Sequence, residues 1–474
     1  MQKYLEGSFV YKFFAAICLA IGNHWRKSHV LDWFLAPGKG KAASDNSIFA
    51  RAWRAFHRGL CFVFEKLRLN KLLRGSIFTM PLIWGFAAVV LAPLIPTMAL
   101  LALAIMGTAT LVIAFACERE RVLSYSPTNK YILIYSFVYI MATFTSVYVA
   151  GSLYSGMLTS FFVLFAIIIQ NAVRTRRQLD MLIYSAVAAG VLVSAYGVFQ
   201  YVFGAVGAAA WLDSEMFSEI GVRVFSTLGN PNVLAKYLLL IIPFAFACVL
   251  TVKGKLTRLG FICALGAMLL CMLLTFSRGG WLGLIAAIAV FLVLLDRRFI
   301  LLGLVGIIVL YFALPDVILD RFFSIGDIGD TSTSYRLSIW LATIAMLRDF
   351  WFTGIGPGTA AFNRVYPLYS FNTVVSPHSH NLYLQVMCDA GIVGISVFLI
   401  VLFSFFRNLF SSMSRESDRT SKIFQIAAIS SIFGFLVQGM TDYSFYNYRV
   451  TFMFWAMLGV GALCARRMTL NHSE

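Results

Sequence analysis

Three arginines and two histidines stand in stretches whose residue types can hold an anion and move a proton. Arg223 lies in VRVFSTLGNPN (222–232), Arg278 in TFSRGGWLG (275–283), and Arg336 in SYRLSIWLATIAMLRDFWFTGIGPG (334–358). His378 and His380 lie in SPHSHNLYLQVMCDAGIVG (376–394). Arginine presents a planar fork of donors that matches phosphate or carboxylate oxygens bidentately, whereas lysine offers a point charge. An imidazole with its ordinary pKa of ~6.5 is neutral and basic near physiological pH, so it can take a proton from an attacking hydroxyl. The chemistry on offer is anion recognition beside a general base.

Each residue also has a plainer reading. In LGNPN the Asn and Pro residues mark a turn, and Asn232 is placed to cap the helix that follows or to serve the site. SRGG is a reversal so short that Arg278 stays near a membrane surface, where it either meets a ligand or snorkels to head groups. Leu337, Trp340, Leu341, Ile344 and Leu347 recur near 3.6 spacing and predict an amphipathic helix with Ser334 as N-cap. Arg336 would then occupy its first turn, where unpaired N–H groups and the helix dipole favour an anion. GIGPG (354–358) reads as a helix terminator that could also approach a ligand. A metal would want further ligands of the same kind, and neither a third outward histidine nor an outward cysteine is at hand, so no metal or other cofactor is expected. Arg321, Arg364 and Arg449 read as partners of nearby acids or of lipid head groups.

The elements that must position these residues are membrane spans. Of 474 residues, 60% are hydrophobic and 12% charged, which excludes a water-soluble fold. Apolar stretches of about 20 residues, each able to cross ~30 Å of hydrocarbon, recur from Ser76 onward. Twelve are expected, at 76–94, 95–116, 131–149, 152–173, 181–203, 233–252, 258–275, 281–295, 299–314, 382–406, 422–440 and 450–464. The formal charge of +17 lies mainly in short loops at alternate ends of these spans, as the positive-inside rule predicts, and nucleic acid is not expected as a partner. Loops 118–130, 174–178, 253–258, 296–298, 407–422 and 465–467 thus fall on the cytoplasmic side, with both termini. The other side, with loops 204–232 and 315–381, the turn at 276–280 and the loop 441–449, uses arginine almost exclusively. Lys236, just inside a span, is the nearby exception.

Residues 1–75 form a basic extension before the polytopic domain at 76–474. Within it, 48–75 sets Arg51, Arg54 and Arg58 against Phe49, Trp53, Phe56 and Phe62, the pattern of a helix lying in the inner membrane interface. Residues 36–47 read as a flexible link. The cysteines follow no CxxC spacing, and no removable signal peptide is read at the start.

Together, the four stretches over residues 222–394 resemble the bacterial O-antigen ligase and polysaccharide polymerase superfamily of membrane glycosyltransferases. The resemblance implies an all-α, GT-C-like integral membrane fold with its site on the outer face of the cytoplasmic membrane. It implies transfer of a glycan from undecaprenyl diphosphate to an acceptor hydroxyl on a glycan or lipid, without metal or nucleotide. By resemblance, Arg223, Arg278 and Arg336 would hold the diphosphate, and the histidine directly before Asn381, His380, would be the base. His378, Asn232 and Asn381 are secondary positions, and Asp389 reads either as functional or as a cap. The residues support inversion by single displacement, because developing charge on a diphosphate needs cations rather than an acid. Ligase and polymerase differ in the acceptor alone. A polytopic transporter or flippase is the reading from another class, but such a protein keeps ionisable residues deep in its spans and often carries internal repeats.

Overall fold

The computed structural model describes residues 48–69, 79–118, 126–204, 223–296, 331–371 and 374–466, with isolated positions between 121 and 124 and between 298 and 320. Among them the regular structure is all helical. In chain order the helices are α1 (Ile48–Lys66), α2 (Met80–Leu91), α3 (Thr97–Cys117), α4 (Asn129–Phe144), α5 (Val149–Ala172), α6 (Arg176–Phe203) and α7 (Pro231–Thr251). They continue as α8 (Lys255–Leu274), α9 (Arg278–Leu295), α10 (Thr331–Phe350), α11 (Thr359–Val365), α12 (Leu382–Met413), α13 (Arg419–Gly439) and α14 (Tyr448–Cys464).

Eight of these, α3, α5 to α9, α12 and α13, are long and apolar enough to cross a membrane, and α2 and α14 are shorter apolar helices. The stretch expected to span at 131–149 forms the 16-residue α4. Most of the expected span at 299–314 lies outside the described residues, as do the link at 36–47, Arg321 and most of the 204–232 loop. This is a polytopic membrane protein.

The centre of the bundle is α7, whose apolar window is 83% buried. It packs against α6, α8, α9, α13 and α14. α9 and α13 approach through Gly283 and Gly434, where a Cβ on either would stand 2.7 Å from the carbonyl oxygen of the other. Such small-residue contacts let helices close together where lipid supplies no hydrophobic drive for association. α1 docks on the end of α3: Trp53 and His57 face Phe115, and His57 Nε2 is 2.8 Å from the Phe115 carbonyl. Its Arg51, Arg54 and Arg58 are exposed, together with Phe56, Phe62 and Val63.

α12 is interrupted rather than straight. Ala390 and Gly391 leave helical geometry, Gly391 at φ +62°. Into this break fits the turn after α10: Ile355 N–H donates to Cys388 O at 2.7 Å, and Ile392 N–H to Trp351 O at 2.8 Å. A side chain at Gly391 would strike the Phe352 carbonyl, so glycine is required by both space and φ. The GIGPG segment is correspondingly a tight turn, with Gly354, Gly356 and Gly358 all at positive φ.

The sequence pattern misplaces α10 in two respects. The helix starts at Thr331, three residues before the expected cap, so Arg336 is in its second turn and the first-turn argument for an anion there does not hold. The threonine and serine run 331–334 offers a hydroxyl at every position, so composition alone does not fix the start. The expected stripe is also rotated: Leu337, Leu341 and Ile344 are exposed, while Ile339, Ala342, Thr343, Met346 and Leu347 are buried. A helix with apolar residues on both faces gives hydropathy no way to tell which face meets protein.

Candidate functional site

At one end of the bundle the starts of α7, α9, α12 and α14 meet the end of α13. Arg223, Arg278 and Arg336 line one pocket there, with Asn232, Ser277, Gly279, Gln438, Thr441 and Asp442. The three arginines are more than 50 residues apart in sequence and come from a loop, a helix start and a helix face.

Local structure explains how each is held. Val224 N–H donates to Leu274 O at 3.2 Å, which lays the 223–225 segment along the end of α8. Arg223 Nε donates to Thr275 O at 3.0 Å, and its Nη2 to Asn232 Oδ1 at 3.4 Å. Asn232 does not cap α7. Asn230 does, its Oδ1 accepting from Asn232 N at 2.8 Å and Val233 N at 3.4 Å. Pro231 explains this, since a proline favours the first helical position and leaves the residue before it as cap. Asn232 is thereby freed to accept also from Ser277 Oγ at 2.8 Å. Ser277 caps α9, so Arg278 is the first residue of that helix, and it is buried. Two helix N-termini, with the partial positive charge each carries, therefore converge at the pocket. At Gly279 the packing is close, because a Cβ would stand 2.4 Å from Thr441 Oγ1 and that hydroxyl would have to move.

His380 reaches this pocket through Asp442. Its Nδ1 lies 3.2 Å from Asp442 Oδ1, and its side chain is 21% exposed against 6% for the aspartate. With Nδ1–H donating to the carboxylate, Nε2 is left as the acceptor. Burial pushes the Asp442 carboxyl up, but the His380 hydrogen bond and the Lys236 charge outweigh it, and the group stays below the usual carboxylate range. Lys236 itself is fully buried in α7 and donates to the Asp442 carbonyl at 2.7 Å.

His378 is a different kind of residue. It is buried and stacks on Tyr446 at 4.8 Å, and its Nδ1 accepts from His380 N at 3.3 Å. Burial, with His380 and Lys236 nearby, pushes its pKa down to about 3, so it stays neutral. Asn381 caps α12, accepting from Tyr383 N and Leu384 N at 2.9 and 3.0 Å, and its Nδ2 donates to Met440 O at 2.8 Å. It fixes the residue before it, His380, against the end of α13. Asp389 lies away from the pocket, beside the α12 break, and accepts from Tyr139 Oη at 3.2 Å and Gln385 Nε2 at 3.0 Å. Gln385 in turn accepts from Ser379 N at 2.8 Å, so Asp389 braces the histidine loop from below.

Backbone strain gathers at the same place. Of the four described non-glycine residues at positive φ, three are Ser226, Phe276 and His380. They stand three residues after Arg223, two before Arg278, and at the histidine itself. Left-handed conformations outside glycine persist where the surroundings over-determine them, and they cluster at functional sites.

Asp442 is the site residue that sequence reasoning missed. An acid in a short connecting loop, here the eight residues between α13 and α14, is ordinarily a turn former, and only its place opposite His380 distinguishes it. Gln438 and Thr441, at the end of α13, were equally unmarked.

The fold and this pocket define a polytopic membrane protein with a cationic site at one end of its bundle. Residues 263–399 match the sequence model of the family described as O-antigen ligase, so this part of the chain is similar to that family. The match includes Arg278, Arg336, His378 and His380; Arg223 and Asp442 lie outside it. A search of curated proteins finds no match for the chain.

Proposed function

We propose that this protein transfers a glycan from undecaprenyl diphosphate to an acceptor hydroxyl at the outer face of the cytoplasmic membrane, with inversion and without a metal. One observation carries the reading: Arg223, Arg278 and Arg336 share a pocket with the aspartate that bonds His380. Three guanidinium groups against one carboxylate among the described lining residues make a site for an anion, and a diphosphate suits arginine forks.

In this mechanism His380 Nε2 takes the proton of the acceptor hydroxyl as its oxygen forms the new bond to the anomeric carbon. The bond from that carbon to the phosphate oxygen breaks on the opposite face, and the lipid diphosphate leaves with the electron pair. The arginines and the two helix N-termini stabilise the charge as it grows, in a partly dehydrated site where fixed donors act strongly. Asp442 holds the imidazole tautomer and stabilises the imidazolium. Both deep ionisable residues of this region, Lys236 and Asp389, lie about 10 Å or less from this end by the ~1.5 Å rise per residue, not at midplane where a transport relay belongs.

The test is transfer by purified protein in nanodiscs, supplied with lipid-diphosphate glycan and acceptor in EDTA. Inverted product is expected. Absence of transfer with intact, folded protein, or dependence on added metal, would overturn the reading. Polymerase and ligase are separated in cells lacking the protein: capped single repeats mark the first, unattached full-length chains the second.

A further inference from the structure

A buried ammonium inside a membrane helix is expensive and persists where it has a task. Lys236 is fully buried, one and a half turns into α7, and does not line the pocket. Its Nζ donates to the backbone carbonyl of Asp442 at 2.7 Å and stands 5.3 Å from the centroid of Phe435. A lysine whose role was to neutralise Asp442 would reach the carboxylate; this one grips the main chain of the same residue. The carboxylate is left to His380 at 3.2 Å, with Ser444 Oγ near its other oxygen at 3.5 Å.

The loop is also held at Met440 by Asn381 Nδ2 and at Phe445 by Thr451 Oγ1, but neither bond is made to Asp442. Asp442 follows directly on the end of α13, where Thr441 N–H and Asp442 N–H both return to Gln438 O. Those bonds fix the chain to α13, but the carbonyl that leaves toward Ser444 is taken by Lys236.

Building on the proposed glycan transfer, we infer that Lys236 is a positioning residue for the base. By holding the Asp442 carbonyl from within the bundle it keeps the carboxylate on Nδ1 of His380, which leaves Nε2 facing the acceptor. Lys236 touches no substrate. Its charge also lies under the pocket, so a simple electrostatic role in donor binding is the alternative to be separated.

The experiment uses the full chain in nanodiscs and compares Lys236→Met, Lys236→Arg and Asp442→Asn, alone and combined. Methionine keeps the length of the side chain and removes the buried charge, so folding is not put at risk by an unpaired ion. Positioning predicts that K236M lowers kcat about 100-fold, within the usual contribution of general-base catalysis, while donor KM changes less than about twofold. K236M combined with D442N should be no slower than D442N alone, because both act through one contact. K236R should recover part of the rate. A rise in donor KM at constant kcat, or fully additive losses, would overturn the inference in favour of an electrostatic or merely structural role.

A second readout does not depend on transfer. Modification of His380 by diethyl pyrocarbonate, followed by mass spectrometry, should be faster in K236M than in the parent protein, since the ring loses its fixed partner. An unchanged rate would overturn the positioning role whatever the enzyme assay gives. If the parent protein transfers nothing yet the labelling shifts, glycan transfer falls and the Lys236 contact stands.

Discussion

The two ends of the helical bundle set arginine in different described surroundings. At the end where α5 leads into α6, Arg174 pairs with Glu118 at 2.7 Å, Arg121 with the same carboxylate at 3.3 Å, and Arg176 with Asp180 at 2.9 Å. Burial pulls the Arg121 guanidinium below its ordinary range there, with Arg174 adding repulsion. At the pocket end, Arg223 is held by a backbone carbonyl and an amide oxygen, and the one described acid in the lining, Asp442, faces His380 and Lys236. Cations neutralised by carboxylates serve the fold. Three arginines around one described acid give the pocket lining an excess of positive charge.

That contrast has measurable consequences. The largest concerns the base: His380→Ala should lower transfer about 100- to 10,000-fold while donor binding survives, read from turnover beside equilibrium binding. Arg174→Ala at the other end should leave both unchanged, and equal losses from the two variants would erase the distinction between the ends. Next comes the fork. Arg278→Lys or Arg336→Lys keeps the charge but loses bidentate geometry, so donor affinity should drop about tenfold, whereas Arg174→Lys is silent in a donor titration.

Smaller effects separate cap from site. Asn230→Ala should cost about 1 kcal/mol of stability as the loss of a helix cap, with donor KM held. Asn232→Ala should raise donor KM instead, since Arg223 and Ser277 lose their shared acceptor. A separate effect, on stability rather than transfer, is the acid response of His378. Its folded pKa of about 3 lies below the ordinary ~6.5, so the fold favours the neutral ring. That contribution is whole above pH ~6.5 and drains away as pH falls toward 3. The thermal midpoint should decline through this window, and His378→Gln should flatten the decline; an identical slope would exclude the buried neutral ring as its source.

Much of this architecture is legible in the residues. Helices α2 to α9 and α12 to α14 announce themselves as apolar runs, because crossing hydrocarbon demands length and composition together. The arginine and histidine stretches stand out because cations and imidazoles are scarce beside spans. What stays hidden depends on partners distant in sequence. Asp442 differs from any turn aspartate only through a histidine 62 residues earlier. Asn230 and Asn232 flank one proline, and which is cap follows from the proline's place in the helix, a cue that favours Asn230. The face of α10 is hidden for another reason: apolar side chains there point both at protein and away from it.

The break in α12 has a further implication for engineering. The segment after α10 is pinned to Cys388 and Ile392 on either side of the gap, and the cap of the same α12, Asn381, directly follows His380. Arg336 and His380 therefore travel on a single cassette, residues 331 to 394, whereas Arg223 and Arg278 belong to the surrounding frame. A chimera that exchanges this cassette whole should keep its anion fork and imidazole in register with each other, and one that exchanges α10 alone should not.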